Sequence, residues 1–357
     1  MHKIGDDTPT ADGNGEFKET PTTTDLRAGW ANTIQRELVK IVQWCGLTLS
    51  TADDDQIQKG LGGKIYGRAA HVPLLADTLG LSYRPGRKDL IAIGADAMCF
   101  DGTHIWLRPG GGDIQKINIL THQVDATIPY AIGSANGFAF DGSHVWMSVY
   151  TGGTAQDAVK INIETNTIDA TVTCGSQQAG VTYASGHVWV CNTLDDTVSK
   201  IDITTDTVVA TIAVGNAPYY SAFDGTHLWV CNWLDTVITK INVSDNSTTT
   251  IAATAFFPAF DGTHMWCSDN SENLIKINVE TGVIDNTLVF AGEQLKGVAF
   301  DGRYIWSKAT TKVRKIDIHS DTVIATYNLS NNQSGIVFDG VHMWVTATSA
   351  IKKYIAR

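Results

Sequence analysis

The segment Phe100-Asp101-Gly102-Thr103-His104-Ile105-Trp106 sets a carboxylate and an imidazole three residues apart, with an indole two residues further on. An Asp–His pair of this kind could act as a general acid or base, and several such histidines brought together could ligate a metal. The arrangement returns at Asp141/His144/Trp146, Asp224/His227/Trp229, Asp261/His264/Trp266 and Asp339/His342/Trp344, with Ala184 for Asp before His187 and Trp189, and Tyr304 for His between Asp301 and Trp306. Histidines that recur once per repeat stand a whole repeat apart, too far to share one ion at Zn–N distances of about 2 Å. The six of them are therefore read as partly buried structural groups bonded to the turn or an adjacent strand, the Asp-Gly pairs as turn chemistry, and Trp106, Trp146, Trp189, Trp229, Trp266, Trp306 and Trp344 as packing between repeats.

Catalysis needs an asymmetric site, so the groups that break the repeat matter more. Off-repeat histidines are His122 and His319, both in turns between expected third and fourth strands, and His2 and His71 outside the repeats. There is no G-x-S-x-G elbow, phosphate-binding glycine loop or H-E-x-x-H. The six cysteines (Cys45, Cys99, Cys174, Cys191, Cys231, Cys267) form no C-x-x-C pair. Cys191 and Cys231 each follow a repeat tryptophan by two residues, as small buried side chains would. Neither a metal nor a cofactor is expected, and the chain is not expected to be an enzyme.

Binding residues are better supplied. Tyr150, Tyr219, Tyr220, Trp233, Phe256 and Phe257 fall in or beside the loops that vary most between repeats, and Trp233 is the one repeat-region tryptophan off the repeat position. Aromatic rings next to Asn216, Asn232, Asp235 and Gln294 would suit a sugar, by stacking on its apolar face and hydrogen bonding its hydroxyls.

The elements that position these groups follow from the period. Steps between successive repeat tryptophans are 40, 43, 40, 37, 40 and 38 residues, the interval of a four-stranded propeller blade. Each repeat has an apolar strand ending at Phe or Tyr, a turn, and a second strand with His and Trp on one face. A third strand carries Lys116, Lys160, Lys200, Lys240, Lys276, Lys315 or Lys353, the lysines read as solvated partners of aspartates in adjoining turns. A fourth carries a Thr-rich apolar pair. The seventh repeat ends at Arg357 without a fourth strand, and Asp89-Leu90-Ile91-Ala92-Ile93-Gly94 is an unassigned apolar strand before the first. The expected fold is all-β: a seven-bladed propeller over 89–357, its last blade closed by that N-terminal strand.

Residues 1–88 hold 11 basic and 11 acidic residues, so the net charge of −11 falls on the repeats, which argues against nucleic acid as a partner. There is no apolar run long enough to span a bilayer, so no membrane insertion is expected. Met1 to Asp7 lacks the apolar core of a secretory signal, which points to synthesis and assembly in the cytoplasm.

Residues 1–24 are polar and, alone, cannot bury enough surface to offset their ordering entropy. Leu26, Trp30, Ile34, Leu38, Ile41 and Cys45 then step by three or four, an apolar stripe on a helix, capped by Thr24 or Asp25 and stopped by Gly46. A second helix starts near Ser50 with Asp53, Asp54 and Asp55 in its first turn. Two such helices cannot close a core, so the stripe packs on other copies, on a partner, or on the propeller of the same chain. Residues 62–88 are a Gly- and Pro-punctuated connector.

The run Gly29-Trp30-Ala31-Asn32-Thr33-Ile34-Gln35-Arg36-Glu37-Leu38, then Gly46-Leu47-Thr48-Leu49-Ser50 and Asp55-Gln56-Ile57, resembles the N-terminal module of many tailed-phage tail fibre and receptor-binding proteins. The likeness covers residues 1–61 and includes the Met1-His2-Lys3-Ile4 start; Gly5 and Ile57 depart from the usual Asp and Leu. It implies a helical module that attaches to tail or baseplate proteins, a homotrimer, and a place in the virion. The repeats are similar to the YVTN/NHL-like propellers, a group with an enzymatic member of the virginiamycin B lyase type. Together these imply a virion tail component whose propeller is an adhesin for a host-surface glycan or protein receptor, or a spacer. Two alternatives stand beside it: a lyase or hydrolase acting on a surface polymer or small ligand through the propeller channel, and a structural hub binding only other virion proteins.

Overall fold

The computed structural model describes residues 97–110, 112–151, 157–329, 334–347 and 350–356. These form seven antiparallel sheets arranged as propeller blades, six with four strands and the last with three among the described residues. The all-β, seven-bladed expectation holds for them. The helical module of 1–61, the connector of 62–88 and the closing strand at 89–94 lie outside the described residues.

In every blade the strands neighbour one another in chain order. Blade one runs Met98–Phe100, His104–Leu107, Ile114–Asn118 and Val124–Ile128; blade seven runs Ile336–Phe338, His342–Ala347 and Ala350–Ile355. First strands line the central channel, second strands are buried along nearly their whole length, and fourth strands form the exposed rim. Each blade presents two faces to its neighbours, so second and third strands are apolar on both sides rather than alternating.

The repeat tryptophans fill the gaps between blades and are 0–1% exposed. Trp146 shares a cluster with Val181, Val188 and Ile201 of the next blade. Trp344 of blade seven packs with Ile105, Leu107 and Ile117 of blade one, which closes the ring. Burying a ring of this size contributes at most about 4–6 kcal/mol of transfer free energy.

Each Asp-Gly turn does more than reverse the chain. Asp101 Oδ1 accepts from the Thr103 and His104 backbone N–H groups, both at 2.7 Å, and Gly102 supplies the required φ of 101°. The other oxygen, Oδ2, accepts from the Trp106 indole at 2.6 Å. The same bond recurs at 2.6–2.8 Å in blades two, four, five, six and seven. In blade three, Ala184 offers no carboxylate. Trp189 donates to the Ala184 carbonyl at 3.4 Å instead, and the strands pair one residue further, to Ala184↔His187. The turn becomes the two-residue type, with Ser185 at φ 48° and Gly186 at φ 78°.

The repeated lysines are buried or half-buried, contrary to the sequence expectation of solvated groups. Lys160, Lys200, Lys276 and Lys315 are 6–8% exposed, and each repeat lysine lies 4.6–5.5 Å from the tryptophan ring of its own blade, a favourable cation–π placement. Their ammonium groups reach the turn of the next blade. Lys160 Nζ donates to Ile203 O at 2.8 Å and to Asp206 at 2.7 Å, Lys200 to Val243 O and Asn246, and Lys276 to Ile318 O and Asp321. The aspartate pairing foreseen therefore exists, but as a clasp between blades. Lys353 completes it, donating to Ile119 O of blade one at 3.3 Å.

Candidate binding surface

Five of the expected aromatic residues come together. Tyr219 and Tyr220 sit on the first strand of blade four, Pro218–Phe223. Trp233 follows its second strand; Phe256 precedes and Phe257 opens the first strand of blade five, Phe257–Phe260. Tyr219 lies 4.9 Å from Tyr220, 5.9 Å from Trp233 and 4.7 Å from Phe256 between ring centroids; Tyr220 stacks on Phe257 at 4.7 Å. Trp233 also stands edge-on to Phe256 at 5.9 Å. Phe256 and Phe257 are buried, whereas Trp233 is 49% exposed. The cluster thus has a fixed base and one ring projecting to solvent.

The remaining expected site residues divide. Tyr150 ends the second strand of blade two, two blades away from the cluster. Asn232 is fully buried, and its amide donates to Val237 O and Thr239 Oγ1. It braces the loop behind Trp233 and is not offered to a ligand, a correction to its expected role. Asp235 accepts from the backbone N–H of Asn216 at 3.3 Å and of Thr236 at 2.8 Å, so it shapes the loop while staying partly exposed. Gln294 is exposed and donates to Asn270 Oδ1.

Sequence reasoning missed the matching loop of blade three. Asn192-Thr193-Leu194-Asp195 repeats Asn232-Trp233-Leu234-Asp235 position for position, a signal present in the sequence. Asn192 is likewise buried and bonded to Thr197 and Ser199. Leu194 and Leu234 are each 64% exposed, so the two loops raise similar apolar tips.

The central channel encloses about 230 Å³. Asn136, Ser221, Ser334 and the Tyr220 phenol give it its polar side chains, among residues that are otherwise small or apolar. The off-repeat His122 lies at the ring seam, where Lys353 Nζ approaches its Nε2 at 3.1 Å and Trp344 meets it edge-on at 5.6 Å. The repeat histidines bond as expected: His104 Nδ1 meets Thr103 Oγ1 at 2.7 Å and Nε2 meets Asp125 at 3.0 Å. Burial pushes the thiols of Cys174 and Cys191 up to about 12, which leaves them protonated and inert.

The fold has close counterparts among solved structures. A structure of U3-55K superposes with a TM-score of 0.65 at 9% sequence identity, covering 77% of this chain and 100% of its own. The WD40 repeats of RRP9 superpose with a TM-score of 0.65 at 11% identity, covering 75% of this chain and 97% of theirs. No family model and no curated protein matches the sequence. At such low identity the likeness concerns the fold, and propellers carry unrelated activities.

Proposed function

We propose that this chain is a binding module: a virion tail component whose N-terminal 61 residues attach to tail or baseplate proteins and whose propeller presents a receptor-binding surface on blades three to five. The attachment half is supported by the tail-fibre-like motif from Gly29 to Leu38 and its flanking segments. The binding half is carried by Trp233, an exposed indole held edge-on by Tyr219 and Phe256 over a buried aromatic base. Projecting aromatics on rigid supports are the anchors from which interfaces draw most of their energy.

The test compares the full chain with Trp233→Ala for binding to a panel of bacterial cells and to an array of bacterial surface glycans and proteins. Trp233 is half exposed, so the variant should keep its melting temperature within a few degrees. Binding should weaken by about ten-fold or more, an ordinary loss for a hot-spot tryptophan. Equal binding by both proteins to every target would overturn the reading.

A further inference from the structure

The loops around Trp233 form one continuous strip. The Ala217 backbone N–H donates to Asp196 Oδ1 at 2.8 Å, and its carbonyl accepts from the Trp233 N–H, also at 2.8 Å. Leu234 N–H donates to Asn216 O, and Leu194 N–H to Ser176 O. Asp195 accepts from the Ser176 N–H at 2.6 Å. Leu194, Asp195 and Asp196 of blade three are thereby stitched through Ala217 to Trp233, Leu234 and Asp235 of blade four. Asp196 at φ 54° and Ala217 at φ 55° occupy left-handed conformations, which aspartate tolerates and which are costly for alanine. The bonds converging on them hold the strip in that shape, as strained backbone at recognition sites usually is.

The charge of the strip is one-sided. Between residues 174 and 290 the chain has three Lys or Arg residues, Lys200, Lys240 and Lys276. All three ammonium groups are committed to the turns of the following blades. Asp195, Asp196 and Asp235 therefore face solvent beside Leu194, Trp233 and Leu234 with no lysine or arginine of their own sector to offset them. Each carboxylate accepts one or two backbone N–H groups but has about four acceptor positions, so capacity remains for a ligand. An anionic ligand, such as a uronic acid or a phosphate, would meet uncompensated like charge there. Protruding Leu194 and Leu234 are aliphatic tips, suited to an apolar side chain rather than to the flat face of a sugar.

From this charge and shape we infer that the strip docks a basic polypeptide segment, with an apolar side chain against Leu194, Trp233 and Leu234 and a lysine or arginine paired to Asp195, Asp196 or Asp235. The inference rests on the binding role proposed for the aromatic surface and narrows its ligand to one class.

Fluorescein-labelled peptides of four Leu-Lys repeats and of four Leu-Glu repeats, and a neutral glucan oligomer, are titrated against the full chain at low and high salt. The same titrations use Trp233→Ala and the triple variant Asp195→Asn, Asp196→Asn, Asp235→Asn. Asparagine keeps an acceptor oxygen and tolerates the left-handed conformation at 196, and unchanged near-UV circular dichroism verifies the fold. The Leu-Lys peptide should bind, lose affinity with salt, and bind about ten-fold more weakly to both variants. Equal binding of the Leu-Glu peptide, or Leu-Lys binding that survives both variants, overturns the inference. If the glucan alone binds and Trp233→Ala abolishes it, this inference fails while the binding role stands. If no probe responds to Trp233→Ala, this inference falls, and the binding role is decided by the cell and surface-molecule panel alone.

Discussion

The indole Nε1 of Trp106 donates to the Asp101 carboxylate at 2.6 Å, across a turn that the same carboxylate builds. One buried aspartate thus fixes both the turn and the rotamer of the ring between blades. Asp101→Ala leaves the indole and two backbone N–H groups short of acceptors, at a cost of about 2–4 kcal/mol. For a domain of this size that is roughly 5–15 °C of melting temperature. Thermal denaturation followed by circular dichroism measures it, and a loss under 2 °C would mean water replaces the carboxylate.

Blade three should respond in the opposite direction. Ser185 is held at φ 48° ahead of Gly186, the first central position of a type I′ turn, where asparagine is favoured. Ser185→Asn should raise the melting temperature by a degree or two, the worth of about 0.5 kcal/mol. An unchanged or lower value would show that Ser185 contributes something the turn geometry does not require.

Much of this architecture was legible because the tryptophans recur near 40 residues and a blade is the β unit with that period. The links between blades were legible in their residues but not in their burial. Lys160 and Asp206 look like surface residues until the propeller twist carries the lysine over a buried indole to the next turn. Asn232 beside Trp233 looked like part of a polar rim, yet it is the loop's internal brace; its counterpart Asn192 carried the clue. The acidic strip escaped notice because Asp196 and Trp233 meet only through the backbone of Ala217.

The lysine clasps permit a comparison inside the molecule. Lys200 Nζ bonds Val243 O at 2.9 Å and Asn246 Oδ1 at 3.1 Å, whereas Lys240 Nζ bonds Val279 O at 2.9 Å. At the turn position of Asn246, blade five has Gly282, with φ 71° and no side chain to accept. Lys→Met at either site removes the carbonyl bond and the cation–π contact and keeps the apolar stem. Lys200→Met should therefore cost about 1 kcal/mol more than Lys240→Met, the net value of one extra hydrogen bond. Chemical denaturation of the two variants decides it, and equal losses would mean that Asn246 contributes nothing.

Acid should loosen the Asp-Gly turns. Burial alone would raise the Asp101 pKa, but bonds from His104, Trp106 and two backbone N–H groups overcome it and bring the value to about 2, below the ordinary 3.8. Asp224 and Asp339 shift down for the same balance of causes. A carboxylate whose folded pKa is depressed stabilises the fold fully above its unfolded pKa and loses that contribution as pH falls towards the folded one. Melting temperature should hold down to about pH 4 and then fall towards pH 2, with Asp101 supplying about 2 kcal/mol of the change. Asp101→Asn should start lower and descend less steeply; a parallel profile would assign the acid sensitivity elsewhere.

Truncation tests the proposed attachment role apart from the propeller. Blade seven closes onto blade one through Trp344 and Lys353, contacts made among residues of those two blades. A chain beginning at residue 62 keeps the strand expected at 89–94 and should fold with the melting temperature of the full protein. It should also be monomeric by light scattering and absent from assembled particles, whereas the full chain should be trimeric and incorporated. Extending the deletion through residue 95 also removes the segment expected to pair with the outer edge of Ala350–Ile355 and should lower the melting temperature by several degrees or cause aggregation, as an uncovered sheet edge does. Incorporation of the shorter chain into particles would reject residues 1–61 as the attachment module, and an unchanged melting temperature after the longer deletion would reject the strand at 89–94 as the closure.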